Sequence, residues 1–219
     1  MNKLYNNWLK IEDKTIIEKL SLMKDDEINS AFGGSLSFGT AGLRGIMGIG
    51  TNRLNEVNVC KLANAIVEYY IKNKLNSIVI GFDTRHNSKT YSRVFARILA
   101  YNGIKVNLFK NFVPTPVLNF AIGYTKSDMG IMITASHNNK IYNGIKVSGA
   151  NCIQISGEAE KTLGNLYAKL NEVDLFNNYL KYQSKQTKNI IYVKNEVKKE
   201  FLGEFYKNKL NKELNIIYT

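Results

Sequence analysis

Apolar positions recur at helical spacing from the start of the chain. Leu4, Trp8, Ile11 and Ile16, with Thr15 among them, predict an amphipathic helix over 3–20. A short helix is expected over 25–31, followed by a glycine-rich stretch over 38–50. Asn55 is a suitable N-cap for a helix to Lys74, with Val59, Ala63, Ile66 and Tyr70 on one face. The run SIVIGF, 77–82, is apolar throughout and reads as a buried strand. Ser88 can cap a helix to Tyr101, which Gly103 ends. A strand over 104–109 follows. Pro114 and Pro116 then mark a turn before a helix to Tyr124.

The run MGIMIT, 129–134, predicts another buried strand. A polar loop over 135–143 leads to a strand over 144–147, and 158–170 is helical. The polar segment 181–189 reads as a linker. Beyond it a strand over 190–193, a helix over 196–210 and a strand over 214–218 are expected. Apolar strands alternating with amphipathic helices give an α/β class: a wound, mixed or parallel sheet flanked by helices. The chain divides into a helical lead-in, 1–34, a main domain, 35–189, and the beginning of a second α/β domain, 190–219. The last strand reaches Thr219 with no helix after it, so the chain reads as cut within that second domain. Its apolar Phe201, Phe205, Leu210 and Ile216 would then be uncovered, and trimming after residue 189 is expected to improve solubility.

With 44% hydrophobic and 22% charged residues, the 219-residue chain can bury a core of its own. Two cysteines, Cys60 and Cys152, exclude a disulfide framework and suggest a reducing, cytoplasmic compartment. With His86 and His137 they have no zinc-type spacing. The first ten residues lack the apolar core of a signal peptide, and no run is long enough to span a bilayer. The net charge of +12 suggests an anionic partner, but 25 of the 30 cations are lysines and 28 residues are asparagine, which points to coding bias. The lysines are scattered. The five arginines all lie between Arg44 and Arg97. No recognition motif for nucleic acid accompanies the charge, so neither nucleic acid nor membrane is expected as a partner.

The loop Thr134-Ala135-Ser136-His137-Asn138-Asn139 follows a strand, where wound sheets bind ligands. Ser136 could act as a nucleophile given a base and a charge neutraliser. No G-x-S-x-G elbow is present, so a hydrolytic triad is not indicated. Arg44 lies among glycines, 39–45, where backbone N–H groups and a guanidinium can meet an oxyanion. Asp83 and Arg85 follow a strand and read as a structural pair fixing a loop. Lys146, just after the serine loop, is the general acid/base candidate beside His137. Hydroxyl, cations and glycine-rich backbone together suit phosphoryl transfer.

The stretches FGTAGLRG (38–45), GFDTR (81–85), PTP (114–116) and GIMITASHNNKIYNGIKV (130–147) resemble, in order and spacing, those of the α-D-phosphohexomutases. The phosphoglucomutase/phosphopentomutase branch is the most similar. The resemblance covers roughly 35–219. It implies that Ser136 is carried as a phosphoserine that passes its phosphoryl group to a sugar monophosphate and recovers one from the resulting bisphosphate. A sugar 1,6-bisphosphate would serve as the phosphorylating activator. Arg44 would stabilise the phosphoryl group in flight, Lys146 would serve as general acid/base, and His137 would orient the loop or bind substrate. A magnesium ion would bridge the Ser136 phosphate to aspartates of a D-x-D-x-x-R loop in a second domain. This sequence has no D-x-D. Domains II–IV would therefore come from a missing carboxyl-terminal part or a separate chain. The other reading is a sugar-phosphate-binding remnant without catalysis. The family usually has proline after ASHN; Asn139 stands there and is expected to loosen the loop.

Overall fold

The computed structural model describes residues 2–40, 42–185 and 187–207, the last three without side chains. Strands β1 (Leu43–Ile46), β2 (Ser77–Phe82), β3 (Lys105–Leu108), β4 (Met129–Ile133), β5 (Tyr142–Gly149) and β6 (Ile190–Tyr192) form a six-stranded sheet in the order β1-β5-β4-β2-β3-β6. β4, β2, β3 and β6 run parallel, and β5 and β1 are antiparallel to their neighbours. β2 and β4 are buried at every position, which is why they are apolar without alternation.

Helices cover both faces. α4 (Glu56–Lys72) and α5 (Ser88–Tyr101) lie on one side, with α7 (Gly157–Lys169) and α8 (Glu172–Tyr182) packed onto α4. Ile78, Ile80 and Phe82 of β2 join the core on that side. α6 (Thr115–Tyr124) packs on the other face against β2 and β4, where Val79 and Met132 meet Val117, Leu118 and Ile122. α9 (Glu196–Lys207) lies against α6. Among the described residues no helix is long and apolar enough to cross a membrane.

The first helix is two. α1 (Lys3–Trp8) ends before Ile11, which is buried, and Asp13 caps α2 (Lys14–Ser21) by accepting from the Ile16 N–H at 3.0 Å. α3 (Asp25–Phe32) follows. Trp8, Leu20 and Phe32 are all buried in the main core, so the lead-in is part of the domain and not an appendage. Ser88 is the first residue of α5; Asn87, in the left-handed region at φ 62°, holds the N-cap position without a side-chain capping bond. The hydroxyl of Ser88 is taken by Asp83 Oδ1 at 2.7 Å.

β1 and α8 were not expected from the apolar pattern. The segment after residue 189 packs on the first sheet. β6 hydrogen-bonds to β3, and Val197 is 2% exposed against the α6 side of the sheet. Residues 190–204 therefore extend the packing of the first sheet. The strand expected over 214–218, and the side chains of Phe205, Leu210 and Ile216, lie outside the described residues.

Candidate active site

The chain leaves β4 at Ile133 and turns at once. Thr134 N–H is bound to the Gly144 carbonyl at 2.8 Å, and the Thr134 hydroxyl accepts from Ser136 N–H at 2.9 Å. That hydrogen bond closes a tight turn in which Ser136 takes φ 57°. A non-glycine residue in the left-handed region is uncommon and is held there by its surroundings. The side chain of Ser136 is exposed as a result.

Arg85 does the holding. Its Nη2 donates to the carbonyls of Ser136 (2.8 Å) and Asn138 (2.6 Å), and its Nη1 to those of Asn139 (2.9 Å) and Tyr142 (3.1 Å). One guanidinium thus fastens four backbone oxygens of the loop. Arg85 is fixed in turn by Asp83, whose Oδ2 lies 3.4 Å from Nε and whose Oδ1 accepts from Arg85 N–H and from Ser88. Asn143 extends the network by donating to Ser88 Oγ and to the His86 carbonyl. The Asp83–Arg85 pair is structural, as the sequence suggested. The clamp it makes on the serine loop was not foreseen, because four carbonyl acceptors leave no side-chain signature. Asn139 replaces the stiffness of proline in its own way: its Oδ1 accepts from Ile141 N–H at 3.1 Å, making an Asx turn.

Two cations flank the loop on one face of the sheet. Arg44 of β1 stands opposite Gly144 of β5, and Lys146 is two residues further along β5, opposite Met132. Residues two apart share a face, so Arg44 and Lys146 project to the same side, the α6 side. Both are half-buried. Gly42 and Gly144 make this possible. At Gly42 (φ 81°) an added Cβ would run into the Ile145 carbonyl, and at Gly144 it would lie 2.9 Å from the Leu43 and Thr134 oxygens. Arg44 Nη1 donates to Asn138 Oδ1 at 3.1 Å, tying β1 to the serine loop. Its Nε is buried and has no hydrogen-bond partner among the described residues. A buried donor left unpaired costs free energy.

His137 is exposed, with Nδ1 3.5 Å from Ser136 Oγ. Ser136, Asn138 and Lys140 border a cleft of about 390 Å³ with Asp83, Arg85 and His86. The structure therefore brings Ser136, His137 and Arg44 to one loop cluster, with Lys146 on the adjoining sheet face. Asp83 is the carboxylate bordering the cleft, and both its oxygens are engaged by Arg85 and Ser88. Among the described residues no group of three or more His, Cys, Asp or Glu side chains could hold a metal ion. Magnesium needs about six oxygen ligands, so these residues by themselves do not fit it.

Residues 35–174 match the model of a family described as phosphoglucomutase/phosphomannomutase, alpha/beta/alpha domain I. A phosphoglucomutase of Staphylococcus epidermidis is 40% identical over 167 residues, covering 75% of this chain and 31% of the relative. A phosphoglucomutase of Staphylococcus saprophyticus is 42% identical over 158 residues, covering 71% and 29%. A crystal structure of a phosphoglucomutase/phosphomannomutase family protein from Burkholderia thailandensis superposes with a TM-score of 0.57 over 79% of this chain and 35% of that one. Its identity of 19% makes that a likeness of fold alone. The chain spans about a third of the length of the curated relatives it matches.

Proposed function

From the chain's membership of the phosphoglucomutase/phosphomannomutase family, we propose that it carries the nucleophile half of a phosphosugar mutase, with Ser136 as the residue that holds the transferred phosphoryl group. The observation that carries the reading is Arg44: a half-buried guanidinium bonded through Nη1 to the loop of an exposed serine, its Nε unpaired among the described residues.

Phosphoryl transfer asks for alignment and charge neutralisation more than for covalent help. Phosphorylated Ser136 gives its phosphoryl group to a hydroxyl of a sugar monophosphate. The bond from phosphorus to Ser136 Oγ breaks, a bond to the sugar oxygen forms, and the hydroxyl proton passes to a base. The bisphosphate then turns over, and the phosphoryl group at its other end returns to Ser136 Oγ. The sum is transfer between C1 and C6, or C5 of a pentose. Lys146 takes and returns the hydroxyl proton. Arg44 meets the charge that develops on the phosphoryl oxygens. Arg85 keeps Ser136 Oγ presented to the cleft, and His137 hydrogen-bonds at the same oxygen. A sugar 1,6-bisphosphate charges the serine at the outset. Magnesium finds too few ligands in the described residues, so no step is assigned to it.

Intact mass of the chain after incubation with glucose 1,6-bisphosphate and magnesium tests the reading. We expect a gain of one phosphoryl group, lost in Ser136→Ala, and loss of mutase turnover in that variant of the full-length enzyme. Turnover by Ser136→Ala at the unsubstituted rate would sink the proposal. A second reading, a sugar-phosphate binder without turnover, draws on the engagement of both Asp83 oxygens. It predicts salt-sensitive glucose 1-phosphate binding and no mass gain.

A further inference from the structure

α5 carries Lys89, Arg93 and Arg97 at intervals of four, so the three share one helix face, and all are exposed. Between that face and the edge strand β6 lies a recess of about 530 Å³, larger than the cleft at Ser136. Arg93, Arg97 and Lys185 border it. Leu108 and Ile190 form its apolar part, and the ring of Tyr192 stands at its side. A smaller recess of about 130 Å³ shares Arg93, Leu108 and Tyr192 and adds Lys89 and Lys110. The two therefore make one groove with five cations. Among the described residues no carboxylate borders either recess, and the ion pairs Lys61–Glu172 and Arg85–Asp83 do not involve these side chains.

Cations gathered in a concavity repel one another and focus a positive potential, which an anion relieves. Guanidinium groups match phosphate oxygens two at a time, and two of them one helix turn apart can grip neighbouring phosphates. The volume is that of a small-molecule site. Tyr192 is 59% exposed, an aromatic face with room for a planar ring. We propose that this groove is a second site, independent of Ser136, that binds an organic phosphate built like a nucleotide, with phosphates on Arg93, Arg97 and Lys185 and a planar ring against Tyr192. The larger recess is bordered by β3 and β6, two and three strand spacings from β4, about 10 and 14 Å across the sheet. The two sites can therefore be told apart by substitution.

Titration calorimetry of the whole chain at low ionic strength, with ADP, pyrophosphate and glucose 1-phosphate as probes, tests this. We expect ADP to bind at least about ten-fold more tightly than glucose 1-phosphate, and the double variant Arg93→Ala/Lys185→Ala to lose at least about ten-fold, the loss of one or two charge-assisted contacts. Both side chains are exposed, and circular dichroism checks that the variant is folded. Tyr192→Ala should weaken ADP and leave pyrophosphate unchanged. Arg44→Ala should leave ADP binding intact. The proposal is overturned if folded protein binds no ADP, or if Arg44→Ala abolishes binding while the groove variants do not. Equal response of ADP and pyrophosphate to Tyr192→Ala would also overturn it, since only charge would then matter. Displacement of ADP by far lower concentrations of an oligothymidylate would assign the groove to nucleic acid instead.

Discussion

The side chain on which the serine loop depends most is Arg85. Lysine would keep its charge but can reach only part of the four carbonyls that the planar fork engages. We expect Arg85→Lys to cost about 1–3 kcal/mol of stability, measured by urea unfolding, given the usual worth of bonds to a charged donor. We also expect it to slow phosphorylation of Ser136 more than it weakens glucose phosphate binding. An equal loss in both would mean that Arg85 binds substrate itself. The cysteines differ in kind. Burial pushes the Cys60 thiol up to about 12, so it stays protonated and shielded at neutral pH, whereas Cys152 is half-buried. Alkylation of folded protein should therefore label Cys152 and reach Cys60 only on unfolding, as peptide mapping would show. Glu56 has its carboxyl pushed up by burial and by nearby Asp13. The folded state therefore holds this proton more tightly than the unfolded chain. The stability this gives is complete below the ordinary carboxylate range and is lost as pH rises through the raised folded value. Its place in the first turn of α4 favours the carboxylate and moderates the loss. Glu56→Gln should flatten that part of the stability–pH curve in urea titrations.

At the scale of elements, the end of the chain gives the sharpest test. Apolar pattern suggests that removing everything after residue 189 helps solubility. The structure reverses this. Without β6 the edge of β3 is bared, and Val197 leaves a buried place worth about 1.5–3 kcal/mol. The truncated chain should melt earlier and aggregate sooner in thermal scanning. What the sequence shows well and what it hides follow from burial. β2 and β4 are apolar throughout because helices cover both their faces. α4 has its true cap, Asn55, bonding Asn58 N–H. β1 is hidden because Leu-Arg-Gly-Ile has the composition of a turn, and only pairing with β5 makes it a strand. α8 is hidden because five of its polar residues face solvent or bond to the lead-in. The break between α1 and α2 is hidden because Ile11 fits a helical stripe and a buried corner equally well. At the site, motifs single out Ser136, His137, Arg44 and Lys146 as candidates. The carbonyl clamp was not, because backbone oxygens are the same in every sequence.

At the scale of the whole molecule, a strap ties the lead-in to α8. Trp8 Nε1 donates to Glu172 Oε1 at 3.2 Å, while Glu172 Oε2 meets Lys61 Nζ at 3.1 Å, and Lys61 lies over the Tyr167 ring. Lys61 and Glu172 are each 8% exposed. Glu172→Ala should cost about 3–5 kcal/mol, because it leaves the lysine charge buried and unpaired. Lys61→Met/Glu172→Leu should recover most of that loss in the same urea experiment. Asn177 adds two bonds, to the backbone of Lys10 and Glu12. This strap also sets a clock on biosynthesis. Trp8 leaves the ribosome 164 residues ahead of its partner. At a typical elongation rate the interval is about 10–30 s, during which the Trp8 indole N–H waits for Glu172. The first helices made are thus fully seated only once α8 has emerged.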